Sequence, residues 1–191
     1  MSPKKILWIE DNAETELAEL LGPVYHQGGY LLELAPDATV AVRTLIQNKK
    51  YDGVIVDIRL PPGHDPLWQK LYNQTVRGTV ETQLGLLLLY WMLNVSPLKE
   101  IKTNTSNNSP SDQRILKKMQ QKINQIKSRF TAPAWLGPEQ VAIFSIERDT
   151  QLKQRGHLER LGITHYQQKA IAMPDDILLK IIKNLVSHHK Q

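Results

Sequence analysis

Three carboxylates in this chain stand at the ends of apolar runs, where buried strands are expected to finish. Glu10 and Asp11 follow the run from Lys4 to Ile9, and Asp57 lies near the end of the run from Val54 to Ile58. The first and third strands of a parallel sheet can be neighbours, so these acids would meet in one crevice. Clustered carboxylates repel one another unless a cation neutralises them. A few hard oxygen ligands suit Mg²⁺, which also bridges to phosphate.

Two further polar residues end the later strands. Ser145 follows the apolar residues 141–144, and Lys169 follows the fifth strand candidate. A hydroxyl and an ammonium facing an acid cluster with Mg²⁺ form a site for a phosphoryl group, whose oxygens the cations would neutralise. An aspartate carboxylate can act as the nucleophile and form an aspartyl-phosphate.

Strand and helix patterns alternate along most of the chain. Strands are expected at residues 4–9, 30–34, 54–58, 141–146 and 163–168. Helices are expected at 13–26, from Pro36-Asp37 to Ile46, at 149–161 before Gly162, and from Pro174-Asp175-Asp176 onward. Such alternation implies a parallel sheet with helices on both faces. The predicted fold is therefore α/β, a doubly wound five-stranded parallel sheet with flavodoxin-like order.

The alternation is interrupted between Gly63 and Val141. Thr79 is expected to cap a helix that runs to Leu93 and is apolar on every side, so that the sheet alone cannot cover it. After a polar loop at 103–113, Ser111 or Asp112 is expected to cap a second helix that reaches Phe130 with one apolar face.

The two helices of the interruption have two readings. The simpler reading is a helical hairpin inserted into one domain that spans residues 1–191, with 79–138 as the extended helix and the insertion. The other reading is a surface for dimerisation or for a partner protein, since a hairpin can cover one apolar face and leave another open.

In their order along the chain, these polar residues resemble the signature of response-regulator receiver domains. The match comprises Glu10-Asp11-Asn12, Asp57 within Val-Ile-Val-Asp-Ile-Arg-Leu-Pro-Pro-Gly, Ser145 and Lys169, with Tyr166 at the aromatic switch position. It covers residues 4–64 and 140–187, and it implies the five-stranded receiver fold.

The resemblance also implies a role for each residue. Glu10, Asp11 and Asp57 would bind Mg²⁺ together with the backbone carbonyl of Arg59. Asp57 would accept phosphate from a histidine kinase or a phosphotransfer protein.

Two more roles concern the phosphorylated state. Ser145 would hydrogen-bond the phosphoryl oxygens, and Lys169 would pair with them. Ser145 and Tyr166 would move together and reshape the surface after the fourth strand.

Two residues depart from the family pattern. Ala170 stands where the family usually has proline, and Ile146 stands where it usually has a small residue. A bulky side chain there restricts access to Asp57 and favours an alternative, a pseudo-receiver that binds partner proteins without phosphorylation. The complete set of acids, Ser145 and Lys169 favours the phosphorylated switch.

The predicted function is thus a stand-alone receiver of a two-component system, a phosphoprotein and not an enzyme, with possible autodephosphorylation. Since the last helix lies close to the end of the chain, its output is expected to be a downstream protein partner, reached through residues 79–130, or a homodimer.

The composition excludes several kinds of site and segment. The absence of cysteine excludes disulfides and thiolate metal sites. The longest apolar run, Leu84 to Leu93, has ten residues, and crossing a bilayer takes about 20. The apolar run that follows the N-terminus is also too short for a signal peptide, so we expect a cytoplasmic protein without membrane contact.

The positive charge of the chain is concentrated in one segment. The net charge is +5, and residues 99–130 carry eight basic and two acidic residues. A solvated helix face accounts for this charge, and nucleic-acid binding by the 112–130 helix is the least favoured of the hypotheses.

Overall fold

The computed structural model describes residues 2–47, 50–74, 83–99, 110–146, 152 and 156–187. Its centre is a parallel sheet of five strands. They are β1 (Lys5–Ile9), β2 (Leu31–Ala35), β3 (Gly53–Val56), β4 (Val141–Ser145) and β5 (His165–Gln168). The strand order is β2-β1-β3-β4-β5, with every neighbouring pair parallel. This is the flavodoxin-like order, and the predicted fold class is confirmed.

The sheet has an apolar layer on each face. Because side chains alternate along a strand, successive residues enter different layers. The first layer takes Leu7, Ile9, Val54, Val56, Val141 and Ile143 from the sheet. The second takes Ile6, Trp8, Ile55, Ala142 and Phe144. All eleven are buried, so the central strands are covered on both faces as their continuous apolar character predicts.

The helix predicted at 13–26 is not regular. A 3-10 turn at Ala18–Leu20 leads into a single α turn, α1 (Leu21–Pro23), and then into a π turn at Val24–Gly28. The prediction of an ordinary helix was wrong because Pro23 lacks the N–H that an α-helical bond to the preceding turn needs. Leu20 and Val24 are nevertheless buried against the second layer.

The helix after β2 follows its sequence signals. It is α2 (Ala38–Ile46), and the Asp37 carboxylate caps it by accepting a bond of 2.8 Å from the Val40 N–H.

A short helix, α3 (Pro66–Asn73), was missed by the sequence patterns. Its signal is Asp65-Pro66, because the Asp65 carboxylate caps the Leu67 N–H at 2.8 Å and proline fits the first turn.

The two last helices differ in part from their prediction. Within the predicted 149–161 helix, α6 (His157–Leu161) is described and ends at Gly162, which has the expected left-handed φ of 72°. Most of residues 147–155 lie outside the described residues. The final helix, α7 (Ile177–Ser187), begins three residues after Pro174. Pro174 therefore precedes the helix and does not occupy its first turn.

The interruption contains a helix with no exposed face. All nine residues of α4 (Leu84–Met92) are buried. The helix contacts α2, α3 and α5 (Pro110–Lys127). The predicted cap at Thr79 lies outside the described residues, as does most of the 103–113 loop. The second helix begins at Pro110, slightly before the expected caps Ser111 and Asp112, which lie inside it.

Helices α4 and α5 are joined by polar contacts as well as apolar packing. The Trp91 indole N–H donates to the Phe130 carbonyl at 2.9 Å. The Ser96 hydroxyl donates to the Gln120 amide oxygen at 2.6 Å. Of the α5 lysines, Lys117 and Lys118 are exposed as in the predicted solvated face, whereas Lys122 and Lys127 are half-buried. Among the described residues, no helix is both long and apolar enough to cross a membrane.

Since α4 is enclosed on all sides, truncation of its side chains should be costly. We expect Leu88→Ala to lower the free energy of unfolding by about 2 to 5 kcal/mol, measured by urea denaturation. Leu98→Ala is the control, because Leu98 is 47% exposed, and it should cost no more than about 0.5 kcal/mol. Equal costs for both variants would contradict the enclosed position of α4.

Candidate functional site

The carboxyl ends of β1 and β3 bring the predicted acids together. The strand pairing continues past both strands, because the Asp57 N–H donates to the Ile9 carbonyl at 3.0 Å. Glu10 and Asp57 are buried and Asp11 is exposed. Each of these residues offers one carboxylate oxygen, and the three oxygens lie within 4.8 Å of one another.

Ser145 and Lys169 reach the same point from β4 and β5. The Lys169 N–H donates to the Ser145 carbonyl at 2.9 Å, which aligns the ends of these strands. The Ser145 hydroxyl donates to Oδ1 of Asp57 at 2.5 Å. Nζ of Lys169 lies 2.6 Å from Oδ2 of Asp57 and also bonds the Glu10 carboxylate. Both oxygens of Asp57 are therefore hydrogen-bonded by the side chains that the sequence singled out.

The backbone after Asp57 supplies further donors. The Arg59 N–H donates to Oδ1 of Asp57 at 3.0 Å, and the Ile58 N–H donates to the Ser145 hydroxyl at 3.4 Å. The carboxylate is thus oriented by both the loop and the neighbouring strand.

The electrostatics of the cluster favour an added cation. Burial is the main reason that the pKa of Glu10 rises from 4.5 to about 7, and the charge of Asp57 raises it further. Lys169 opposes the rise through its charge and its hydrogen bond to Glu10. Nζ of Lys169 also lies 5.5 Å from the centre of the Phe144 ring, which faces its positive charge.

The donor set fits Mg²⁺. Three carboxylates with oxygens this close are the hard ligands that the ion prefers, and each of them accepts a hydrogen bond from a neighbouring group. In the described chain no other group of three acidic, histidine or cysteine side chains is close enough to hold a metal. The predicted ligation by the Arg59 carbonyl stays a prediction, although Arg59 lies beside the cluster.

An open cleft of about 610 Å³ gives access to Asp57. Its walls combine the acidic cluster with an apolar rim, which consists of Leu17, Ile146, Ala170, Ile171 and Met173. Ile146 is 50% exposed, so its side chain borders the cleft without closing it. The peptide bond before Ala170 is trans, as are all the peptide bonds among the described residues.

Tyr166 lies on the edge strand, away from the acids. It pairs with Ile143 in the register of β4 and β5, and its partly buried ring packs against the first layer. Ser145 pairs instead with Gln168. The predicted joint movement of Ser145 and Tyr166 remains a prediction.

One residue beside the site was not singled out from the sequence. Gly85 in α4 donates its N–H to the Ile58 carbonyl at 3.0 Å. Its sequence signal is faint, because it is simply the one glycine in the run from Leu84 to Leu93.

Several solved structures are similar to this chain. No protein-family model and no curated protein matches the sequence. Similar solved structures include a CheY-like receiver domain protein from Methanospirillum hungatei JF-1, at 17% identity and a TM-score of 0.49, covering 99% of this chain and 98% of that one. The receiver domain of the Francisella response regulator 1452 is 20% identical with a TM-score of 0.48, covering 98% and 99%.

A third similar structure is the bacteriophytochrome response regulator AtBRR, at 17% identity and a TM-score of 0.48, covering 97% of this chain and 94% of that one. These three structures are response regulators or receiver domains, the class that the sequence resembles. Since these three TM-scores are below 0.5, the fold class rests on the strand order and the functional argument rests on the geometry of the site.

The raised pKa of Glu10 has a consequence for stability. The folded protein binds a proton at Glu10 more tightly than the unfolded chain, whose pKa is near 4.5. The stabilisation from this proton is complete below the unfolded pKa and is lost as the pH rises through about 7. The loss is on the order of 1 to 3 kcal/mol, since one pKa unit is about 1.4 kcal/mol.

Urea denaturation in EDTA at a series of pH values measures this loss. Glu10→Gln removes the titrating group, so the variant should lack this part of the pH dependence while other groups titrate as before. Identical pH profiles for the two proteins would contradict the raised pKa.

Proposed function

We propose that this chain is a receiver-type phospho-acceptor switch in which Asp57 becomes phosphorylated. The observation that carries the proposal is the convergence of Ser145, Lys169 and the Glu10 carboxylate on Asp57 at the edge of an open cleft. A turn-forming aspartate would need none of these partners. A carboxylate that is oriented, buried and still accessible is suited to act as a nucleophile.

The transfer step uses the Asp57 carboxylate as nucleophile. One of its oxygens attacks the phosphorus of a phosphohistidine on a histidine kinase or phosphotransfer protein. The new P–O bond forms as the P–N bond breaks, and the imidazole nitrogen that leaves takes up a proton. The product is an aspartyl-phosphate, and its later hydrolysis by water returns the free carboxylate.

The chain itself supplies much of the charge balance for this step. Lys169 Nζ already lies 2.6 Å from Oδ2 of Asp57. During the transfer it can pair with the negatively charged oxygens of the phosphoryl group. The Ser145 hydroxyl can turn from Asp57 to a phosphoryl oxygen. Glu10, Asp11 and Asp57 would hold Mg²⁺ with the Arg59 carbonyl, and the bound ion would neutralise phosphoryl oxygens.

The output of the switch would be a change of protein-binding surface. When Ser145 leaves Asp57 for the phosphoryl group, the end of β4 would move, and Tyr166 on β5 would follow. Exposed residues within 79–130, such as those of α5, are the proposed contact for a downstream partner or for a second copy of the chain, because α4 itself is buried.

A second candidate is a pseudo-receiver that binds partners without phosphorylation. It is favoured by the bonds of Lys169 to both Glu10 and Asp57, because this lysine partly neutralises the buried acids without a metal. The apolar rim around Ile146 also favours it.

Phosphorylation and metal binding separate the two candidates. With Mg²⁺ and acetyl phosphate, we expect the intact mass to rise by one phosphoryl group, about 80 Da. The gain should disappear in EDTA and in Asp57→Ala. Asp52→Ala is the matched control, because Asp52 bonds the Lys5 N–H at the opposite end of the sheet, and it should keep the gain.

The opposite result would favour the second candidate. If no mass is gained and titration calorimetry detects no Mg²⁺ binding, the phospho-acceptor proposal fails and the pseudo-receiver replaces it.

The rim of the cleft should control the rate of phosphorylation. Ile146→Ala removes an apolar side chain beside Asp57, so we expect acetyl phosphate to react several times faster. The control is Ile46→Ala, since Ile46 is also exposed, at 41%, but lies at the end of α2. Both variants should change the free energy of unfolding by less than about 0.5 kcal/mol. Unchanged rates for Ile146→Ala would show that the rim does not limit access.

A further inference from the structure

The first turn of α4 lies directly on the backbone that follows Asp57. A Cβ atom added to Gly85 would stand 2.0 Å from the Asp57 carbonyl oxygen and 2.7 Å from Cα of Ile58. Both of these atoms belong to the backbone, so no side chain can move aside to make room. Gly85 is therefore the residue that lets α4 approach the loop.

No other property of Gly85 explains a glycine at this position. Its φ is not among the positive φ values of the chain, so its backbone conformation is open to any residue. Glycine inside a helix costs about 1 kcal/mol relative to alanine. Close approach to the Asp57–Ile58 backbone is the gain that offsets this cost.

The peptide unit between Ile58 and Arg59 is held at both ends. Its carbonyl accepts the Gly85 N–H at 3.0 Å, and its N–H donates to Oδ1 of Asp57 at 3.0 Å. The Gly85 bond therefore fixes the plane of the same peptide whose N–H orients the Asp57 carboxylate. The Arg59 carbonyl, the expected backbone ligand of Mg²⁺, belongs to the next peptide unit.

The far end of α4 is also anchored. The Tyr90 hydroxyl bonds Nδ1 of the buried His157 at 2.8 Å, and the Trp91 indole donates to the Phe130 carbonyl. The helix thus connects the loop of Asp57 with α6 and with the end of the inserted pair.

We propose that Gly85 is a positioning residue for Asp57, which sets the orientation of the carboxylate through the Ile58–Arg59 peptide. The proposal rests on the proposed function, since it assigns to α4 the task of holding the metal and phosphate site in its reactive geometry. The inserted helices are then part of the site's support as well as a surface for partners.

The test compares two glycine variants that both create a clash. Gly85→Ala places a methyl group against the loop backbone. Gly53→Ala is the control, because a Cβ atom at Gly53 would lie 2.6 Å from the Leu185 side chain, at the other end of β3 from Asp57. Both variants are compared in the full chain, under conditions where circular dichroism shows them folded.

Two readouts distinguish positioning from a general loss of stability. Titration calorimetry with Mg²⁺ should show affinity about 10- to 100-fold weaker in Gly85→Ala, as for other residues that orient metal ligands. Amide hydrogen exchange by NMR in EDTA should show faster exchange of the Arg59 N–H, while the Asp57 N–H remains protected by its bond to Ile9. Gly53→Ala should change neither readout beyond its effect on global stability.

The two readouts distinguish failure of the positioning role from failure of the proposed function. Equal losses in both variants, at equal loss of stability, would overturn the positioning role. If the wild-type chain binds no Mg²⁺, the proposed function fails, and the exchange of the Arg59 N–H alone then decides whether Gly85 holds the loop.

If Gly85→Ala does not fold, hydrogen exchange in the wild-type chain tests the proposal instead. In the wild-type chain, the Gly85 N–H should exchange as slowly as the strand amide of Asp57. Fast exchange at Gly85 would show that its bond to Ile58 is not maintained in solution and would overturn the proposal.

Discussion

The burial of carboxylates at the ends of two neighbouring strands is the constraint on which the site depends. Two buried acids separated by a few ångströms are unfavourable unless cations and hydrogen-bond donors surround them. Lys169, Ser145 and the Arg59 N–H meet that need for Asp57. Each donor comes from a different segment, so the hydrogen bonds to the Asp57 carboxylate connect the end of β3 with β4 and with the residue after β5.

The sequence predicted the parts of the fold that depend on local patterns. Continuous apolar runs became the central strands because both of their faces are covered, and the acid or hydroxyl at each end follows from the shared direction of the strands. The clustering of Glu10, Asp11 and Asp57 could be predicted for the same reason. The roles of these residues in binding metal and phosphate remain proposals.

Other features depend on contacts that no local pattern records. The segment at 13–26 has helical spacing of its leucines, yet Pro23 prevents a regular helix. Gly85 looks like a weak position in an apolar helix, and only the approach of the Asp57 backbone explains it. The cover of α4 likewise comes from its packing against other helices, α2, α3 and α5.

The complete enclosure of α4 has a consequence for synthesis of the chain. Its nine apolar residues leave the ribosome before β4, the central strand that completes the layer beneath them. At 5 to 20 residues per second, the interval from Leu84 to Ser145 lasts about 3 to 12 s. During that time the nascent chain presents an apolar segment whose native cover is incomplete. An uncovered apolar segment favours aggregation of unfinished chains, which a chaperone or a low local concentration of nascent chains would limit.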